Sequence, residues 1–371
     1  MRRDPVLRRA AISWARGGEL TPQRLWPVLR ARGGVETLLA SSEGELSDWL
    51  GSGERARAVL RSAEDVSSEK WVAQLERAGV RVITAFDEHY PDPLAEISDP
   101  PFLLFAMGNV ERLRLPAVAI VGSRAATRYG RDVAARLSRE LALAGVAVVS
   151  GFARGVDEAA HQAALSTPGG TIAVLGCGLD VEYPREHAAL KEAICSRDLL
   201  ISEFPPGTEP KPQNFPIRNR IIAGLCAGVV VVEASRRSGS LITARLANEF
   251  GRDVFAVPGS VFSQTSIGTH ELLRDGAILC RGAEDVLAEL FPSIGTGRTA
   301  GGPTPPGASV ALSEEARRVW ETLRKEEDAS AEDLAQGTDL PAATVLAALF
   351  ELEEAGLAVF GEGGRYGARR N

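Results

Sequence analysis

A chain of 371 residues with 44% hydrophobic and 25% charged residues is long enough for two or three domains with real apolar cores. Its formal net charge of −7 excludes a protein that holds nucleic acid through overall basicity, so any polyphosphate site must be local. Arg16 interrupts the short apolar stretch AAISWA, and no apolar run approaches the eighteen or so residues that span a bilayer; the sequence reads as cytoplasmic, without membrane segment or signal peptide.

Residues 1–70 read as short helices: Thr21 and Pro22 suit a helix start, and Gly33-Gly34 and Gly51-Ser52-Gly53 break the pattern. A strand-like RVITAF follows. YPDPLAEISDPPFLLFAMGN comes next, extended and turn-rich because each proline disfavours helix in the residue before it.

From about residue 117 the runs AVAIVG, VAVVS, TIAVLG, LLISE, GVVVVEA and DVFAVP alternate with helical stretches. Strands that are apolar on both faces are buried on both, which predicts an extended Rossmann-like α/β core with helices on each side of a parallel sheet, over residues 80–291. Val133, Leu137 and Leu141 fall on one face of the helix after the first of these strands. PSIGTGRTAGGPTPPGAS has little to bury and predicts a flexible linker over 292–312. Beyond it, a helix from Ser313, a helix opened by the capping box at Ser330 to Asp333, a helix after Pro341 and a hairpin at VFGEGGRYG predict a winged helix over 313–371. The four cysteines, Cys177, Cys195, Cys226 and Cys280, show no ligand spacing and are expected as reduced thiols.

Ligands of an open parallel sheet bind beyond the carboxyl ends of its strands, so those loops carry the functional reading. One strand ends in Gly122-Ser123-Arg124, and the next in Gly151-Phe152-Ala153-Arg154-Gly155. A later strand is followed by Ser238-Gly239-Ser240 at the start of a helix. Glycines admit close backbone approach, serines and helix-start N–H groups take an anion, and Arg124 or Arg154 supplies countercharge. Any one such loop is as readily a tight turn; several along one sheet edge are harder to dismiss. LGCGLD lacks the glycine spacing and acidic partner of a dinucleotide site, and no GxxxxGK[ST] occurs, so no cofactor is expected.

The segment Lys211 to Arg220 adds an aromatic, Phe215, with Asn214, Arg218, Asn219 and Arg220 at the entry to the apolar helix IIAGL. Bases could stack on Phe215 while cations meet phosphates. The plainer reading makes Phe215 a core anchor and pairs one of the arginines with Glu203 or Glu233.

Between about Tyr90 and Leu290, the linked motifs IVGSR-x4-YG, SGFARGVDEAAH, FPIRNRIIAGL, VVVEASRRSGSLITARLANEFGR and VFAVPGS with GTHELLRDGA resemble the DNA-processing protein A (DprA/Smf) family. The resemblance implies a protein that binds and protects single-stranded DNA in natural transformation and loads the RecA recombinase. It assigns phosphate contacts to Gly122, Ser123 and Arg124, base stacking to Phe215, and a further pocket wall to Ser238, Gly239 and Ser240. Pro212 stands where some relatives have lysine, with Lys211 adjacent. The family also carries a small helical (SAM-like or helix-hairpin-like) domain and a winged helix at its ends. It places a self-association and RecA surface on His270, Leu273, Arg274 and Leu279, which implies a homodimer.

The winged helix is poorly equipped for duplex DNA, since no lysine or arginine lies between Asp339 and Phe360 while Glu351, Glu353 and Glu354 crowd its last helix. The alternative from another class is a nucleotide-processing enzyme of the phosphoribohydrolase type on the same fold, using Asp157 and His161, four residues apart, as acid and base. The GGxGTxxE signature is absent, and His89, His161, His187 and His270 assemble no nucleophilic constellation, so the chain is expected not to be an enzyme. In the bland account, Asp157 caps its helix and His161 braces it.

Overall fold

The computed structural model describes residue 12 and residues 22–32, 34–62, 66–295, 312–324, 328–354, 357–360 and 365–368. Two compact units emerge, Met1–Thr296 and Gly297–Asn371. The linker expected at 292–312 falls largely outside the described residues, as does the wing tip at 361–364.

The first unit is built on a nine-stranded sheet in the order β1-β2-β6-β5-β4-β3-β7-β8-β9. Its strands are β1 (Arg81–Thr84), β2 (Leu103–Gly108), β3 (Ala117–Val121), β4 (Ala147–Ser150), β5 (Thr171–Leu175), β6 (Leu199–Ser202), β7 (Gly228–Val231), β8 (Asp253–Ala256) and β9 (Ile278–Leu279). All pairings from β6 through to β9 are parallel. The sheet is only mostly parallel, because β2 pairs antiparallel with both β6 and β1. The proline-punctuated stretch is not extended throughout: Asp92–Ala95 forms a short helix, with Pro93 in its first turn where a missing N–H costs no bond, and the last apolar residues Leu103 to Met107 lie in β2.

Alternation along β3 shows why these runs are apolar throughout. Val118 and Ile120 pack with Ala134, Leu137, Leu141 and Ala160 on one face, while Ala119 and Val121 pack with Ile221, Ala244 and Ala247 on the other. The helices Arg128–Leu143 and Val156–Ala164 cover the first face. The helices Asn214–Leu225 and Ser240–Glu249 cover the second. The chain leaves β3 for β4 on one side, and β7 lies on the other, so the crevice at the carboxyl ends of β3 and β7 is a topological switch point.

The N-terminal helices share the first unit. Leu25, Leu29, Leu38, Leu46 and Val59 form their own cluster, which Phe102 from the segment leading into β2 completes, and the Trp26 indole N–H donates to the Pro100 carbonyl at 2.6 Å. The second unit holds three helices, Glu314–Leu323, Ala331–Thr338 and Ala342–Glu354, with a small sheet ordered β10 (Ala329–Ser330), β12 (Arg365–Ala368), β11 (Ala358–Phe360). The Ser330 hydroxyl accepts from Asp333 N at 3.1 Å and the Asp333 carboxylate accepts from Ser330 N at 3.0 Å, the reciprocal cap read from the sequence. No helix among the described residues is long and apolar enough to cross a membrane.

Candidate functional site

The switch point opens into a cavity of about 620 Å³. Gly122, Ser123 and Arg124 after β3, Gly151 after β4, and Ser238, Gly239 and Ser240 after β7 all line it, as do Phe215, Arg218 and Asn219 from the helix Asn214–Leu225. These residues are scattered over more than a hundred positions of the chain. Parallel strands bring them to one rim because each strand delivers its following loop to the same end of the sheet.

The loops interlock through glycine. A methyl group on Gly122 would sit 2.6 Å from Val156 Cγ2 and 3.0 Å from the Glu233 carbonyl oxygen. Gly155 takes a left-handed φ of 78° directly behind the Ser123 and Arg124 backbone, where any side chain would collide. Gly155 therefore backs the first loop rather than lining the cavity.

The Arg124 guanidinium lies over the Phe215 ring at 5.0 Å. Phe215 also meets the Tyr183 ring at 5.7 Å, and it lies against Gly176, where a methyl group would approach Phe215 Cδ1 to 2.9 Å. Phe215 is half-buried rather than a core anchor. It forms a wall between the main cavity and a neighbouring one of about 280 Å³, which Arg154 also lines. Tyr183 escaped the sequence analysis. The available signal was its place in the loop following β5, at the same rim as the others.

The two arginines of the helix diverge. Arg218 is buried at the cavity floor, donating to the Gly151 carbonyl at 2.7 Å and to the Val174 carbonyl, with its charge beside Asp157. Burial pulls its pKa down to about 10, Asp157 pushes back, and Arg124 adds a push downward, so the guanidinium stays charged at neutral pH. Arg220 faces away, held by Asp99 at 3.1 Å and Glu203 at 2.6 Å, which is the bracing pair anticipated for one of them. It does not line the cavity. Asn214 is buried and reaches back to the Glu209 carbonyl at 3.4 Å. Lys211 is exposed next to Pro212, which does line the cavity. Arg154 is exposed and ion-paired with Glu186.

Glu233 is a buried, loop-bracing carboxylate that sequence reasoning reached only as a possible arginine partner. Buried after β7, it accepts from Thr127 N at 2.9 Å and from the hydroxyls of Thr127 at 2.7 Å and Thr265 at 3.1 Å. It so ties the β3 loop to the loop after β8.

Asp157 is not the cap of its helix; the N-cap is Gly155, with no side-chain bond. Asp157 instead accepts from Gly151 N at 3.1 Å and Ala153 N at 3.2 Å, and burial raises its pKa against the opposing pull of Arg218. His161 is fully buried against the Thr171 hydroxyl at 2.7 Å, and burial, with His187 adding to it, drives its pKa down to about 3. A ring held neutral and away from the cavity is a brace, not a proton-transfer partner for Asp157. The surface residues singled out near the far edge are placed differently: the His270 ring bonds the Gly259 carbonyl at 3.1 Å, Leu273 is half-buried, Arg274 is exposed, and Leu279 is exposed in the edge strand β9.

Comparison with known proteins bears on the same region. The family model for DNA recombination-mediator protein A matches residues 81–291, and that for the DprA winged helix domain matches residues 303–364. DNA processing protein DprA of Streptococcus pneumoniae is 51% identical over 207 residues, which is 55% of this chain and 72% of that protein. Among solved structures, DNA processing protein A from Streptococcus pneumoniae matches with a TM-score of 0.64 and 40% identity, over 76% of this chain and 96% of that one. DNA processing protein A from Helicobacter pylori, a structure concerned with its single-stranded DNA binding mode, matches with a TM-score of 0.52 and 33% identity, over 58% and 96%.

Proposed function

The chain belongs to the DNA recombination-mediator protein A family, and from that premise we propose that it binds single-stranded DNA in the cavity between β3 and β7. The observation that carries this reading is the wall made by Arg124 on Phe215. A cation and a ring at one opening offer a phosphate its countercharge and a base its stacking partner, neither of which reads sequence. Behind them, Arg218 stays charged at the cavity floor, its charge partly offset by Asp157. The serines and glycines of 122–123 and 238–240 let a backbone come close. Arg220 and Asn214, engaged elsewhere, support the fold of the loop rather than the contact.

The protein acts as a binder, not an enzyme, in DNA processing for transformation and recombination, with residues 80–291 as the DNA-binding domain. The burial of His161 in the core against the Thr171 hydroxyl supports this. A homodimer formed through His270, Leu273, Arg274 and Leu279 joins two grooves, giving avidity on one long strand, and the same surface receives RecA. Fluorescence anisotropy with oligo-dT and with duplex DNA, alongside a test for base released from nucleoside monophosphates, decides the matter. Tight, salt-sensitive binding of the single strand without turnover is expected; turnover, or a preference for duplex, overturns the reading.

A further inference from the structure

The rim carries a second apolar feature that the cavity does not absorb. In the loop after β8, Ser263 N donates to the Ser260 carbonyl at 3.0 Å and Phe262 N to the Ser260 hydroxyl at 3.3 Å. This tight turn presents Val261 and Phe262 to solvent, Phe262 being 93% exposed. A large ring left out of the core gains nothing for folding, which makes it a candidate contact for something outside the chain.

The turn is firmly placed. Glu233 holds Thr265 and, through Thr127, the β3 loop. The Ala234 N–H donates to the Thr265 carbonyl at 2.7 Å, and the Tyr129 hydroxyl donates to the Pro258 carbonyl at 2.9 Å. Phe262 therefore has a fixed position beside the loop that carries Arg124, while the ring of Tyr129 is itself half in solvent.

Three exposed arginines lie in the neighbouring loops. The β7 loop lines the cavity at Ser235 and Ser238, and between them Arg236 and Arg237 are exposed; Arg128 precedes Tyr129. Among the described residues, Arg128 and Arg236 pair with exposed or partly exposed carboxylates, Asp132 at 3.7 Å and Glu271 at 3.2 Å, pairs weak enough to yield to a polyanion. Exposed rings and exposed arginines on the loops at the same end of the sheet as the cavity match the chemistry of a single nucleic-acid strand better than that of a protein partner.

We propose that the turn Ser260–Ser263 and Tyr129 form a second base-stacking platform, onto which a strand leaving the cavity passes over the β7 loop. Its phosphates meet Arg128, Arg236 and Arg237, and its bases rest on Phe262 and Tyr129. This rests on the reading that the cavity holds single-stranded DNA. The test is anisotropy of the full chain with labelled oligo-dT of two lengths, about five nucleotides to fill the cavity alone and about sixteen to reach the turn. Phe262→Ala is expected to weaken the long strand about tenfold and leave the short one unchanged, with Phe262→Trp binding as wild type and the mass by light scattering unaltered. Equal long-strand binding by Phe262→Ala, or a loss that accompanies a change in mass, overturns the platform, the latter assigning the turn to a contact between copies. Wild-type protein that binds neither length overturns the cavity reading as well.

Discussion

Arg124 and Phe215, ninety-one positions apart, meet with the guanidinium carbon 5.0 Å from the centre of the ring. The cation comes from the loop after β3 and the ring from the helix Asn214–Leu225, and both line the cavity.

Because the two groups touch, their losses should not add. Phe215→Ala is expected to cost about 1–3 kcal/mol of single-strand affinity. Arg124→Ala should lower affinity comparably and reduce the salt slope by about 0.7, the share of one phosphate contact on a single strand. The double variant should bind better than the sum of the two losses predicts. Anisotropy across a salt series measures all three; an Arg124→Ala protein with wild-type affinity and slope removes the residue from the site.

Arg218 should act on stability before it acts on binding. Replacing it with methionine removes the donor to the Gly151 and Val174 carbonyls and the nearby charge that opposes the cost of burying Asp157, a loss of about 1–3 kcal/mol. Adding Asp157→Asn should recover part of it. Denaturant unfolding is the check, and a single Arg218→Met variant as stable as wild type would contradict the assignment.

His161 gives the fold an acid limb. Its folded pKa of about 3 lies below the unfolded value of about 6.5, so below that pH the unfolded chain takes up a proton that the native state refuses. The stability present above about pH 6.5 is then lost as pH falls toward 3, by up to about 1.4 kcal/mol per pH unit from this group. The difference in unfolding free energy between wild type and His161→Gln should shrink along that limb. A difference that stays constant from pH 7 to about pH 4 counts against the buried neutral ring.

The winged-helix unit should be dispensable for the first contact with DNA. A chain ending at residue 296 keeps every core cluster of the first unit and all residues of the cavity. Its affinity for oligo-dT should stay within about twofold of the full chain, well under the factor that one stacked base is worth. The helix Ala342–Glu354, which has no basic residue, gives no reason to expect duplex binding. A large fall in single-strand affinity on truncation would transfer part of the site to the C-terminal unit.

Leu279, 46% exposed on the edge strand β9, is the sharpest probe of self-association. Leu279→Arg should give a monomer by light scattering without loss of thermal stability, since its side chain is not needed by the core. An unchanged mass in a dimeric wild-type background removes this edge from the interface.

How far the site was legible depended on whether local pattern or long-range packing decided each residue. Ser123, Arg124, Phe215 and Ser238 could be read because each lies just after a strand or at a helix start, where position along the chain already implies position on the rim. Arg218 and Arg220 looked equivalent as neighbours in a basic segment, yet two residues along a helix is about a 200° turn, so they cannot share one face. Only Arg218 reached the cavity, and Arg220 went to Asp99 and Glu203. Tyr183 and Phe262 sit in loops with no motif of their own.

The sequence by itself determined the α/β architecture, because runs such as AVAIV and GVVV have only one stable environment, the middle of a parallel sheet covered on both faces. Only the tertiary structure decided that β2 joins the sheet antiparallel, that Glu233 ties two distant loops together, and that Asp157 and His161 part company between cavity floor and core. Strand burial is a property of each segment's own side chains. Hydrogen-bond partners and exposure are set by which segments the folded chain brings side by side, and no single segment encodes that.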